Sequence, residues 1–220
     1  SFVNSKQRRV PVSLDAPVFT LTHAMGFKGV LGGEYNFNRT EASIWKRFWL
    51  PASWGKIDCS VKAGAEWNTV PFPLLILPEA NLSYITQRET FCLINNMEFL
   101  NDRFASMSIS YDMNGKLFNR IPLLKNLKWR EMFRVRALWG TLTDKNNPFK
   151  SSNPDLFRFP TRDGKFTSFV MDPKVPYVEA SVGIYNIFKL LHVEYVHRFT
   201  YRDNPGINKN GIRFMVLMVF

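Results

Sequence analysis

Along much of this chain, hydrophobic and polar residues alternate in steps of two. From Lys56 to Trp67, Ile57, Cys59, Val61, Ala63, Ala65 and Trp67 fall on one side. Lys56, Asp58, Ser60, Lys62, Gly64 and Glu66 fall on the other. A strand sends successive side chains to opposite faces, so this segment predicts a strand with one apolar and one polar face. It is long for a soluble strand, which usually has about five or six residues, and suits a membrane strand of about nine to eleven.

The alternation recurs. Phe133, Val135, Ala137 and Trp139 oppose Arg130, Arg134 and Arg136; Ala105, Met107, Ile109 and Tyr111 oppose Ser106, Ser108 and Ser110. Val178, Ala180, Val182 and Ile184 oppose Glu179, Ser181 and Gly183; Val193, Tyr195, Phe199 and Tyr201 oppose His192, Glu194, Arg198 and Arg202. Pro17–Met25 and Glu34–Phe48 alternate less cleanly. No amphipathic helix of comparable quality is present. Eight strands result if Phe91–Met113 is a loop followed by one strand; an independent strand from Phe91 to Leu100 would break the even count.

Connections between these segments alternate too. Long polar stretches run from Thr143 to Lys174 and from Asn68 past Pro71, Pro73 and Pro78. Asn186–Lys189 and Pro51–Ser53 are short. Short turns at one end and long loops at the other are the habit of outer-membrane barrels. The last segment, from Gly211, puts Ile212, Phe214, Val216, Met218 and Phe220 on one face and ends on an aromatic residue. These five are expected to form the barrel-closing strand that carries the assembly signal.

Composition narrows the class further. No apolar run approaches the ~20 residues of a spanning helix, and an alternating barrel strand averages to a soluble-looking hydropathy. Twenty Phe raise the aromatic share to 15%, as interfacial aromatic girdles require. The net charge of +11 is spread over strands and turns and does not form the single patch of a nucleic-acid binder. Cys59 and Cys92 have neither CxxC nor zinc-ligand spacing and are read as small packing residues. The chain opens on Ser1-Phe2-Val3-Asn4 with no signal peptide or initiating Met, and is expected to be processed or a fragment.

Three segments carry a family resemblance: Phe118-Asn119-Arg120-Ile121-Pro122 through Lys128-Trp129-Arg130-Glu131; Pro71-Phe72-Pro73-Leu74-Leu75 followed by Ala80-Asn81; and Tyr177-Val178-Glu179-Ala180 through Phe199-Thr200-Tyr201-Arg202-Asp203. From about Arg9 to Phe220 the chain resembles Bacteroidota outer-membrane proteins with a carboxypeptidase-regulatory-like domain ahead of a barrel. The resemblance implies that residues 1–220 are the C-terminal part of a larger barrel. A more distant likeness is to Omp85-type barrels. It rests on Ala63-Gly64-Ala65-Glu66-Trp67 before a proline-rich loop, and on Val182-Gly183-Ile184, a turn and Val193-Glu194-Tyr195. The Arg-Gly-aromatic loop tip of those proteins has no match between Asn68 and Asn101, so the likeness implies the layout and leaves insertase activity in doubt.

No catalytic constellation stands out. His23, His192 and His197 lack metal-ligand spacing, and Gly32-Gly33 comes without a phosphate-loop Lys. Asn38-Arg39-Thr40 and Asn81-Leu82-Ser83 match a glycosylation pattern that has no meaning in a bacterial outer membrane. The site-like feature is the polar register: Lys56, Asp58, Lys62, Glu66, Arg130, Arg134, Arg136, Glu179, Glu194, Arg198, Arg202 and Arg213 are expected to face the lumen. They read as an ion-pair network between strands, or as the charged wall of a pore. Pro71, Phe72, Pro73, Leu74 and Leu75 are expected to plug the lumen or cap its rim.

The fold expected is therefore all-β: a transmembrane, antiparallel, up-and-down β-barrel with about eight strands here, half of roughly sixteen. The expected function is non-enzymatic and cofactor-free. It is assistance to outer-membrane protein or lipoprotein biogenesis or export within a larger complex; the alternative is a transport pore for small solutes, and a soluble β-sandwich or lipocalin-like binder is the third reading. Outer-membrane lipid, lipopolysaccharide and other outer-membrane proteins are the expected partners, with no nucleic acid.

Overall fold

The alternating segments become strands with nearly the predicted bounds. A computed structural model of the chain describes residues 2–5, 8–11, 16–81, 83–85, 90–151 and 156–216. Two four-residue strands, β1 (Phe2–Ser5) and β2 (Arg8–Pro11), pair with each other. The main strands follow: β3 (Val18–Gly26), β4 (Phe37–Trp49), β5 (Lys56–Glu66), β6 (Arg103–Asp112) and β7 (Arg130–Thr141). A two-residue pair, β8 (Thr161–Arg162) and β9 (Lys165–Phe166), sits in the connection before β10 (Tyr177–Ile187), β11 (Leu191–Arg198) and β12 (Asn210–Val216).

β3 to β7 and β10 to β12 form one eight-stranded antiparallel sheet in which every strand pairs with its sequence neighbour in the sheet, from β3 at one end to β12 at the other. The protein is all-β. Residues 91–100 belong to the β5–β6 connection and make only isolated bridges, which keeps the count at eight. Met218 and Phe220 lie outside the described residues; Ile212, Phe214 and Val216 lie on β12.

Turn chemistry explains the short end of the sheet. β10 and β11 are joined across Phe188–Leu190, with Asn186, Phe188 and Lys189 all at positive φ. Gly55 ends the β4–β5 turn at φ +91°, and a Cβ there would overlap the Asp112 carbonyl on β6, so this position requires glycine. The third connection at this end, residues 113–129, is longer than its alternating neighbours led one to expect. It contains a 3-10 turn (Phe118–Arg120) and one α-helix, α1 (Pro122–Leu127), both too short to show a helical period in the sequence. At the opposite end run the long connections 67–102 and 142–176.

Burial on this sheet is inverted relative to a soluble one. On β7, Phe133, Val135 and Trp139 are exposed, at 41, 42 and 39%, while Arg134 and Arg136 between them are 6 and 2% exposed. β11 and β12 repeat this: Tyr195 and Ile212 are exposed, while Glu194, Arg198 and Arg213 are buried. The inner face curls far enough that Val18 on β3 and Met215 on β12 line one cavity of about 720 Å³.

The apolar core is not on the strands' hydrophobic faces. It forms inside the curl, at the long-connection end, where Phe91, Ile94 and Phe99 pack against Leu138, Met171 and Tyr177. Beside it, Val70, Leu75 and Leu100 pack with Leu142 and Phe159.

Candidate functional site

Pairing register places the polar residues of neighbouring strands opposite one another on the inner face. Arg136 on β7 lies opposite Glu179 on β10, which lies opposite Arg198 on β11; Glu194 on β11 lies opposite Arg213 on β12. Arg136 reaches Glu179 at 2.9 Å. Arg134 crosses over β10 to Glu194 at 3.1 Å, passing the small residues Ser181 and Gly183. A Cβ at Gly183 would stand 2.9 Å from the His192 ring, so the crossing has no room for a larger side chain. Ser181 donates its hydroxyl to Glu194, and His192 contacts the same carboxylate at 3.3 Å.

The β5–β6 connection is bonded into this array. Glu179 accepts the backbone N–H groups of Cys92 (2.9 Å) and Leu93 (3.1 Å) as well as the Tyr177 hydroxyl (2.9 Å). Arg198 grips Glu98 with both terminal nitrogens, at 2.6 and 3.0 Å, and also donates to the Leu93 carbonyl. Arg213 donates to the Cys92 carbonyl. Bidentate, charge-assisted bonds of this kind are the strong ones. Residues 91–99 are thus an inserted segment whose backbone is satisfied by wall charges. An earlier part of the same β5–β6 connection reaches the sheet's last strand, where Phe214 N–H donates to the Tyr84 carbonyl at 2.7 Å.

At the rim, Asp102 accepts from Thr143 and from the Asn146 amide, while Asn146 accepts the Val70 N–H at 2.8 Å. This ties the connections 67–102 and 142–176 together. Pro71 and Leu75 are buried there, Phe72 and Leu74 are partly buried, and Pro73 is exposed. The proline-rich stretch therefore packs in the rim core, and the deeper insertion is made by residues 91–99.

Elsewhere on the inner face the charges are paired but wetter. Asp58 is held by Arg47 at 2.6 Å, Lys56 stands 3.7 Å from Asp112, and Lys62 contacts Glu41 and Glu79. Glu66 is buried 3.7 Å from Arg39 and accepts the Asn38 N–H. Arg130 has the inner register, but it sits at the strand's end, exposed, over the Tyr185 ring. Arg202 is not on the inner face. β11 ends at Arg198, and Tyr201 at φ +51° breaks the two-residue period, so Arg202 is exposed in the β11–β12 connection.

Several residues of this array escape a sequence reading. Glu98 lies in a loop with no period to reveal it. Arg39, Glu41 and Arg47 share the inner register of β4, but Trp45 and Trp49 share it too and blur the alternation there. Parity already places His192 and Ser181 on the polar face; what it does not show is that both contact Glu194.

The cysteines separate by environment. Cys59 is on the outer face of β5 between Ile57 and Val61, and Cys92 is buried in the inserted segment; both are free. Burial pushes the Cys92 thiol up, against the opposing charge of Arg136, so it holds little thiolate. Iodoacetamide is expected to label Cys92 only after unfolding, as read by peptide mass spectrometry. Rapid labelling of the folded protein would show that the inserted segment leaves its place.

A family model described as the C-terminal domain of a family of unknown function, DUF5686, matches residues 1–149, through β7 and into the connection that follows. No curated protein and no solved structure matches the chain.

Proposed function

The chain belongs to the DUF5686 family, as its C-terminal domain, and from that premise we propose that it is the C-terminal part of an integral outer-membrane β-barrel that assists protein or lipoprotein biogenesis or export. The observation that carries the membrane reading is the inverted burial. Withholding a large apolar side chain from a nonpolar surrounding forfeits roughly 1.5–3 kcal/mol, and rows of them on adjacent strands need a lipid phase. A paired, hydrogen-bonded inner face is what such a sheet requires, since outward charges would cost about 2–4 kcal/mol at midplane.

The role as a subunit, and not as a free conduit, rests on the inserted segment. Residues 91–99 cover the inner face of β7, β10 and β11 with bonds to buried charges, so this stretch of the wall is not presented to a passing solute. The activity is then exerted through surfaces, non-enzymatically, within a larger complex. On this reading the parent is a Bacteroidota protein with Omp85-like layout and about sixteen strands, of which these eight form half. A solute pore is the second reading, supported by the cavity of about 720 Å³ with Arg47, Lys56 and Lys62 in its wall.

A mild-detergent pull-down of the intact parent protein from native outer membranes separates the two. Barrel-assembly or surface-lipoprotein factors recovered in fixed ratio are the expected result. Recovery of the barrel alone, with steady single-channel conductance of the purified protein, would sink the biogenesis reading in favour of the pore.

A further inference from the structure

The connection between β6 and β7 is basic without exception. Between Met113 and Arg130 it carries Lys116, Arg120, Lys125, Lys128 and Arg130 and no carboxylate. It is also apolar where it meets solvent. Leu123 is 82% exposed, and Leu117, Ile121 and Leu127 lie between 42 and 48%. Leu123 and Leu127 are four residues apart on α1, so they share one face. A soluble turn has no reason to present leucines this way.

The segment is nevertheless held in shape. Glu131 accepts the Leu117 N–H at 2.6 Å, Asn186 at the end of β10 donates to the Lys128 carbonyl at 2.7 Å, and Lys116 donates to the Ala52 carbonyl at 2.9 Å. Those bonds gather the three connections at this end of the sheet into one surface. Each connection adds to it: Phe188, with Lys189 beside it, is 83% exposed, and Trp54 lies under the Lys116 ammonium at 5.0 Å. A hollow of about 380 Å³ between them is lined by Ser53, Asn114, Lys116, Asn119 and Arg120. Two cations beside a hydroxyl and two amides match the charge and hydrogen bonding of a phosphodiester.

We propose that residues 113–129 are a membrane-interface anchor that binds anionic phospholipid, the hollow holding the headgroup phosphate while Leu117, Ile121, Leu123 and Leu127 enter the acyl region. This rests on the membrane reading above and extends it, by naming a lipid class and a leaflet. The short connections of outer-membrane barrels face the periplasm, so the lipid is that of the inner leaflet. Exposed leucines beside unopposed cations are the composition of a surface-lying, anion-seeking segment.

The test places an environment-sensitive fluorophore on Leu123→Cys, with Cys59 and Cys92 replaced by Ala, in the whole protein folded into phosphatidylethanolamine vesicles with phosphatidylglycerol. Brominated phosphatidylglycerol is expected to quench the probe about fivefold more than the same fraction of brominated phosphatidylethanolamine, the preference of roughly one basic contact. Replacing Lys116, Arg120, Lys125 and Lys128 by Gln should bring the ratio near one, and high salt should do the same in the otherwise unaltered protein. A second probe at Val135→Cys reports on the outer strand face. If that probe is quenched by both lipids while the Leu123 probe shows no preference, the anchor is overturned and the membrane sheet stands. If neither probe is quenched, both readings fall.

Discussion

Glu179→Leu is expected to destabilise the folded protein by about 3–5 kcal/mol, the cost of leaving a buried cation without its partner. The side chain is fully buried and satisfies Arg136, the Tyr177 hydroxyl and the N–H groups of Cys92 and Leu93 together. Losing it strands Arg136 and two backbone donors in a dry interior. Glu179→Gln keeps an acceptor for one of those donors and should cost less. Urea unfolding of the vesicle-reconstituted protein measures the stability, and single-channel recording reports whether residues 91–99 have left the inner face. A Glu179→Leu protein within about 0.5 kcal/mol of wild type, an ordinary surface effect, would mean that these bonds do not hold the segment.

The second large effect concerns the opposite face. Val135 lies at the middle of β7, outward and 42% exposed. In water, Val135→Arg at so open a position would change stability by no more than about 0.5 kcal/mol. In a bilayer the same change sits near midplane and should cost roughly 2–4 kcal/mol. Phe48→Arg, outward near the end of β4, provides the depth control, with an expected cost of about 0–1 kcal/mol at the interface. Equal small effects at both positions would argue for a sheet that meets solvent and against one that meets lipid.

Much of the sheet is legible in the sequence because its two faces have opposite polarity and each strand is long. β5 and β7 are found almost to the residue, since a single period governs Lys56–Glu66 and Arg130–Thr141. β4 is harder to read. Arg47 stacks on Trp45 at 5.3 Å and on Trp49 at 5.7 Å, so large aromatics occupy the polar register and Lys46 the apolar one. The ion-pair array was half visible: parity finds Arg136 and Glu179, but Arg198 takes its carboxylate from Glu98 in a loop. Parity also overreached at Arg202, where the strand had already ended. Which loop enters the sheet is a matter of long-range pairing that no local pattern encodes.

That pairing has a consequence for the order of assembly. The inserted segment lies between β5 and β6 in the chain, yet its partners are Glu179, Arg198 and Arg213, at separations of 87, 100 and 121 residues. Contacts so distant in sequence form late, because the closure entropy of the intervening chain must be met first. β5, β6 and β7 can therefore pair with one another before β10 and β11 are in place to receive residues 91–99. Until β10 and β11 arrive, Glu98 and the backbone of Cys92 and Leu93 stay in water. Seating of this segment is then a terminal event, and its completion marks a finished molecule in a way that strand pairing alone does not.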